Sequence, residues 1–393
     1  MLRAFFAIVT GALILCVLVV AFARPALRIV DARFNRSTSS TTPAVSWEAT
    51  RLHSRLLVAD LHCDALLWNR DLLVRTKRGH VDLPRLQEGG VELQVFSMPS
   101  AYPLFANYKR SPAALDIMGL AAIANRWPRE ARCDPTERVF AQAQGLNSAC
   151  ARASMQLRVA TDTYWLSALR QNPRGVVAIL AVEGLHIRDD DIESVDLMFR
   201  AGVRVFGLTH MSDNAVAGSA HGWRKYGLTD FGRRVVARID SLGGIVDLAH
   251  ASEKTMDDVL AMQNVRVMVS HTGVDGTCPG ERNLSDDQLR RIAAHGGIIG
   301  IGFWKGAVCG DDTAAIVRAI RYAVNVAGID ATALGSDFDG AVRTPFDAAG
   351  LVLLTDALLV DGFSEDEIAR VMGLNAMEFF ERSLPQGPEL RGY

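Results

Sequence analysis

Eight short apolar runs recur along this chain, and each reads as a β-strand: 58–62 (VADLH), 91–98 (VELQVFSM), 176–183 (VVAILAVE), 203–210 (VRVFGLTH), 244–250 (GIVDLAH), 265–271 (VRVMVSH), 297–303 (GIIGIGF) and 332–338 (TALGSDF). Their Val, Ile and Leu residues are nearly continuous rather than alternating, the pattern of strands buried on both faces of a parallel sheet. Helices are expected at 150–171, 228–241, 285–295, 312–327 and 364–382. Ser364-Glu365-Asp366-Glu367 forms a capping box for the last of these, and Gly243-Gly244 and Gly296-Gly297 stop helices just before strands. Eight strand–helix units predict an α/β fold of the (β/α)8, TIM-like barrel type. A doubly wound open sheet is the alternative, but no Gly-x-Gly-x-x-Gly follows the first strand.

The strand ends carry the chemistry. His62 and Asp64 alternate at the end of the first run and so leave one face together. Glu183 ends the third run, His210 the fourth, His250 the fifth and His271 the sixth, while Asp337 lies near the end of the eighth. A lone histidine in such a place is more often a hydrogen-bonded core group than a ligand. Seven polar groups at the same end of six runs point instead to a site at the C-terminal face, where barrel enzymes assemble theirs. His62, Asp64, Glu183, His250 and His271, with no thiolate cluster, suit zinc, with manganese or cobalt as substitutes. Five ligands exceed one tetrahedral site and suffice for two ions if a carboxylate bridges them at about 3.5–4 Å. Cys63 points away from this face and reads as a packed thiol. His53, His80, His221 and His295 read as structural or surface groups, with His186, just past Glu183, the one exception to watch.

Of 393 residues, 49% are hydrophobic and the formal charge is −2, which supports a large core and argues against a nucleic-acid partner. Residues 4–23 carry no charge over twenty positions, long enough for a membrane-spanning helix, and Ala21-Phe22-Ala23 is a small-x-small cleavage site for the alternative of a removed signal. Arg24, Arg28, Arg33 and Arg36 follow, a flank that the positive-inside rule would keep in the cytoplasm. The expected layout is a membrane anchor or signal with its basic flank over 1–36, a polar tether over 37–46 and one catalytic domain over 47–393.

The set His62-x-Asp64, Glu183-Gly-Leu-His186, Leu208-Thr-His210, Asp247-Leu-Ala-His250, Ser270-His271, Arg282-Asn283 and Gly335-Ser-Asp-Phe-Asp-Gly340 resembles the membrane (renal-type) dipeptidase family of zinc peptidases, as do Asp82–Gly90 and Gly227–Gly232. The resemblance runs from about residue 55 to 382. It implies a distorted (β/α)8 barrel of the metal-dependent hydrolase type with two zinc ions, one on His62 and Asp64, the other on His250 and His271, with Glu183 between them. It also implies that His210 contacts the substrate and its tetrahedral intermediate, that Arg282 binds the C-terminal carboxylate of a dipeptide, and that Asp337 contacts the substrate and handles protons. Water shared by two zinc ions loses its proton near neutral pH and serves as the nucleophile.

Alternatives remain at several points. Asp339 rivals Asp337 as the acid/base, and Asp337 is alternatively a sixth ligand. Arg282 is alternatively a surface ion pair with its neighbour Glu281. Another amidohydrolase reaction, on a cyclic amide, lactone or phosphoester, would be marked by a carboxylated lysine, yet the fourth strand offers His210. A catalytically inactive, membrane-tethered binding protein would lack a ligand. The resemblance places a disulfide between Cys278 and Cys309, and Cys133 could pair with Cys150. Paired cysteines would put the catalytic domain outside the cytoplasm, anchored or, with the signal removed, secreted. A homodimer is an expectation as well. The family's tyrosines beyond strand seven are missing here, where the chain reads Gly302-Phe303-Trp304-Lys305-Gly306. The proline-bearing stretch 100–150 is expected to shape the pocket mouth instead.

Overall fold

The computed structural model describes residues 21–38, 44–112, 115–171 and 175–387. Its main sheet is parallel throughout and contains β1 (Val58–Cys63), β2 (Val91–Pro99), β3 (Val176–Glu183), β4 (Val203–Gly207), β5 (Ile245–Asp247), β6 (Val267–Thr272), β7 (Ile298–Ile301) and β8 (Thr332–Leu334). Neighbours pair in the order β2-β1-β8-β7-β6-β5-β4-β3, and β2 then pairs with β3 from Leu93↔Val177 to Pro99↔Glu183. That last ladder closes the barrel, so all eight apolar runs become barrel strands.

Alternation sorts the strand residues into two layers. Leu61, Val95, Ile179, Val205, Ile245, Met268 and Ile298 form one buried cluster with Met377, Phe379 and Phe380 of the last helix. That helix sits at the N-terminal end of the barrel: Arg382 donates to the Gly296 carbonyl just before β7, and Pro385 packs on Gly243 just before β5. The C-terminal ends are left for the site. Residues on the other strand faces pack under the outer helices.

Two helix expectations need correction. The span 150–171 is not one helix but the end of helix Pro135–Arg152, a short strand Leu157–Val159, and helix Tyr164–Gln171. The first helix begins earlier than its apolar periodicity suggests because Asp134 caps it and Pro135 opens it. Leu157–Val159 pairs with the first residues of β3, Val176–Ala178, and this non-local pairing overrides helical propensity. The span 364–382 starts with the expected capping box but passes through a π-helical turn at Arg370–Leu374. There Gly373 lies so close to the Leu57 carbonyl that a Cβ would come within 2.1 Å of it.

Cys278 and Cys309 are joined by a disulfide, whereas Cys133 and Cys150 are free thiols. The second pairing fails because these residues lie at opposite ends of helix Pro135–Arg152, on the order of 20 Å apart at 1.5 Å per residue. A disulfide needs Cα atoms within roughly 7 Å. Cys63 is buried, as its place between His62 and Asp64 requires. Among the described residues no helix is long and apolar enough to cross a membrane. Nearly all of the uncharged run 4–23, including Cys16, lies outside the described residues. Residues 21–34 are helical, and Arg36 and Ser37 then pair with Arg343 and Thr344 beyond β8.

Candidate metal centre

β1 carries His62 and ends just before Asp64, β3 ends on Glu183, and β6 carries His271. His210, His250 and Asp337 fall just past the last ladder residues of β4, β5 and β8. The backbone turns sharply at two of these, with φ of 61° at His250 and 60° at Asp337. Left-handed backbone at non-glycine residues is uncommon, and it clusters at functional sites where packing enforces it.

All seven side chains are buried and converge. The carboxylate of Glu183 is central: its Oε1 lies 3.1 Å from His250 Nε2, 3.6 Å from His271 Nε2 and 3.7 Å from His62 Nε2, while Oε2 lies 3.7 Å from His210 Nε2. His62 Nε2 is also 3.7 Å from Asp64 Oδ1, and the Nε2 atoms of His250 and His271 are 3.0 Å apart. Three sets offer a ligand atom each within 4.8 Å of one another: His62, Glu183 and His271; Glu183, His210 and His250; and His62, Asp64 and Asp337. Glu183 and His62 are each shared by two sets. The geometry thus draws His210 and Asp337 as close to the centre as the five residues expected to bind metal.

The imidazoles are held from behind. Ser270 Oγ lies 3.0 Å from His62 Nδ1 and 2.9 Å from His271 Nδ1, so one hydroxyl orients both rings with Nε2 facing the centre. The Ala101 carbonyl accepts from His210 Nδ1 at 3.2 Å. Asp247 Oδ1 accepts from the Ala249 and Ser270 amides, both at 2.9 Å, and ties the turn before His250 to β6. Below, Asp60 accepts from Ser336 and from Gln94 Nε2.

This centre fits a divalent cation. His62 Nε2 and Asp64 Oδ1 are buried and find no hydrogen-bond partner among the described residues. Unsatisfied buried polar atoms are costly, and a cation coordinated by them would remove that cost. Burial pushes the Glu183 and Asp337 carboxyls well up, and each faces other carboxylates. Burial also lowers His62, but Asp64, Glu183 and Asp337 outweigh it and lift the imidazolium to about 10. His210, His250 and His271 are pushed well down, first by burial and then by neighbouring cations. Carboxyls raised by burial beside three imidazoles held neutral, at His210, His250 and His271, mark a donor set poised for positive charge.

The structure separates the alternatives left by the sequence. Asp339 turns away from the centre: its carboxylate meets Arg70 Nη2 at 2.7 Å and accepts from the amides of His80 and Val81. Asp337 faces the centre, where Gly340 packs so closely that a Cβ would come within 2.0 Å of Asp337 Oδ1. Arg282 is buried, donates to the His271 carbonyl and has an unpartnered Nε among the described residues. Glu281 pairs with Lys225 instead, so the surface ion pair for Arg282 is not formed.

Other residues join the site without a sequence signal. Tyr102 sets its ring 5.6 Å from that of His210, and Tyr108 Oη accepts from Trp304 Nε1 at 3.0 Å. Both tyrosines come from the insertion after β2. The buried ring of His221 lies 5.2 Å from that of His250, and its Nε2 has no described partner. His53, His80 and His295 are hydrogen-bonded structural groups, while His186 lies beside Ser100. A cavity of about 670 Å³ opens over Asp64, Glu183, His210, His250, His271 and Asp337, a size typical of small-molecule sites. Arg282 lines a separate cavity of about 430 Å³.

A closed barrel with a buried imidazole–carboxylate centre at its C-terminal face defines the class of metal-dependent hydrolases. Residues 47–384 match the membrane dipeptidase family, peptidase family M19, and the chain belongs to it. It is 31% identical over 231 residues to an uncharacterized dipeptidase of Schizosaccharomyces pombe, an alignment covering 56% of this chain and 55% of that protein. The chain therefore spans about half the length of that curated relative. Among solved structures it resembles a metallopeptidase of Rhodobacter sphaeroides liganded with a phosphinate mimic of the dipeptide L-Ala-D-Ala, with 25% identity, a TM-score of 0.70, and coverage of 84% of this chain and 99% of that one. A probable dipeptidase of Pseudomonas aeruginosa, at 20% identity and TM-score 0.70 over 86% and 98% of the two chains, shares the fold.

Proposed function

We propose that this protein is a dinuclear zinc dipeptidase that hydrolyses dipeptides with a free C-terminal carboxylate. The observation that carries this reading is the convergence on Glu183 of buried donors from His62, His250 and His271, with Asp64 beside them, in a chain of the membrane dipeptidase family. His62 and Asp64 would hold one ion and His250 and His271 the other, with Glu183 contributing to both. When bound, the ions would polarise the scissile carbonyl and make water nucleophilic near neutral pH.

The chain's own residues divide the remaining work. Arg282, buried with a free Nε, receives the substrate carboxylate through charge-assisted hydrogen bonds and so measures substrate length. His210, held by Ala101 and kept neutral by burial, takes up a proton from solvent as negative charge develops on the carbonyl oxygen, and as an imidazolium it donates to that oxygen. Asp337 takes a proton from the attacking water and returns it to the departing amine. Its raised affinity for protons suits the first transfer. The Cys278–Cys309 disulfide supports an oxidising compartment, hence a domain outside the cytoplasm tethered through the run at 4–23.

Metal analysis of the purified protein, paired with a panel of free, N-blocked and C-amidated dipeptides, tests this reading. Two zinc ions per chain and cleavage confined to free dipeptides are expected. A metal-free preparation with full activity would overturn it.

A further inference from the structure

The helix at 21–34 stands outside the barrel, yet it reaches the catalytic cavity. Ala23, Ala26, Leu27, Val30 and Phe34 line that cavity together with Asp64 and Asp337. Their spacing puts them along one side of a helix, an apolar stripe facing the site rather than the barrel core. The stripe is held in place by polar contacts. Asp31 is buried and pairs with Arg78 at 3.1 Å and Arg70 at 3.7 Å, and Asn35 donates to its Oδ1. Arg70 in turn pairs with Asp339, two residues from Asp337. Near the other end, Arg24 donates to Asn69 at 2.7 Å. The anchoring therefore ties the stripe to the loops that carry the centre.

We propose that residues 21–34 form a wall of the substrate pocket and select dipeptides whose amino-terminal residue bears a bulky apolar side chain. The inference rests on the dipeptidase reading above. With the substrate carboxylate at Arg282 beyond β6, the amino-terminal residue points across the centre toward β1, β2 and β8. On that side the helix faces Leu67 and Trp68 after β1, Met118 from the insertion and Val342 after β8. A wall of this composition offers an amino-terminal Leu or Phe side chain apolar contact and gives a glycine none.

The test uses the full chain in detergent and the series Gly-Ala, Ala-Ala, Leu-Ala and Phe-Ala, with Ala-Gly and Ala-Leu as the reversed set. The parent is expected to prefer Leu-Ala over Gly-Ala by at least tenfold in kcat/KM, the scale of discrimination an apolar pocket provides. In Leu27→Ser/Val30→Ser that ratio should shrink about tenfold, mainly through KM, whereas Ile29→Ser on the exposed side should keep it. Unchanged ratios in the double variant, or a preference expressed only in the reversed set, would overturn the wall. An independent readout is thiol labelling by N-ethylmaleimide, located by mass, in Ala26→Cys and Ile29→Cys. A phosphinate analogue of Leu-Ala should protect the first and not the second, and equal labelling of both with and without it would overturn the proposal. Cleavage of no dipeptide at all would instead strike down the peptidase reading.

Discussion

Asp337 and Asp339 are two residues apart on the loop after β8, both buried, with φ of 60° and 65°, yet their surroundings act in opposite senses. Asp339 belongs to an ionic cluster with Arg70, His80, Asp31 and Arg78. Burial raises its carboxyl, but Arg70 and His80 more than reverse this and hold it well below the usual carboxylate range. Asp337 belongs to the centre, where burial and Asp64 leave it well above that range despite His62 and Arg282. One cluster contains its own counterions, and the other waits for cations it does not encode. A buried charge with a cation from the same chain is part of the framework, whereas buried donors without one mark the place for a metal and a substrate.

The strongest way to break this contrast is to remove the donor both halves of the centre share. Glu183→Gln is expected to lower kcat/KM by more than about 10⁴-fold, beyond the usual loss of a single acid/base group, and to deplete both ions. Elemental analysis beside the rate measurement checks this. Retention of two ions with near-parental activity would remove Glu183 from its central role.

The paired carboxylates give a crossed test. Asp337→Asn should reduce kcat by about 10²–10⁴-fold while the metal content, KM and urea midpoint stay near the parent. If Asp337 is a metal ligand instead, the same variant loses metal and added zinc partly restores the rate. Asp339→Asn should do the reverse: about 3–5 kcal/mol of stability lost, because Arg70 is left buried with too little negative charge, and little change in kcat per folded, metal-loaded molecule. A variant pair with the effects exchanged would invert the assignment.

Arg282 sharpens the contrast, since it is a buried cation on the unsatisfied side. Arg282→Ala should cut kcat/KM for free dipeptides roughly a hundredfold and leave C-amidated analogues nearly unaffected, the scale of a lost charged hydrogen bond. Equal losses for both substrates would show that Arg282 orders the site rather than clamping the carboxylate.

The smallest expected effect is a pH dependence. Because the folded state depresses the Asp339 pKa below an unfolded value of about 3.9, its contribution is present above that pH and fades as pH falls toward the depressed folded value. Urea midpoints of the metal-free protein at pH 5 and pH 3 should therefore diverge more in the parent than in Asp339→Asn. Parallel curves would mean that the ion pair adds no pH-linked stability.

The barrel and most of the centre were legible in the sequence because both follow from local rules. Near-continuous apolar runs imply buried parallel strands, and a polar residue at the same end of each run implies a shared face. That reasoning reached Glu183, His62 and His271 on their strands. It also reached His250 and Asp337, although their left-handed backbone, which aims them inward, has no signature in the residues themselves. What the residue order left open was decided by contacts distant in sequence. Asp337 and Asp339 became distinct only when Arg70, about 270 positions earlier, settled beside one of them. Ser270 gained its role by lying between His62 and His271, and Tyr102 and Tyr108 reached the site because the insertion after β2 folds over it. The pairing of Leu157–Val159 with β3 overrode a helical pattern for the same reason. Local periodicity determines which elements form and which end carries chemistry, because it depends on neighbours along the chain. Which buried charge finds a counterion depends on neighbours in space, and only the closed barrel decides that.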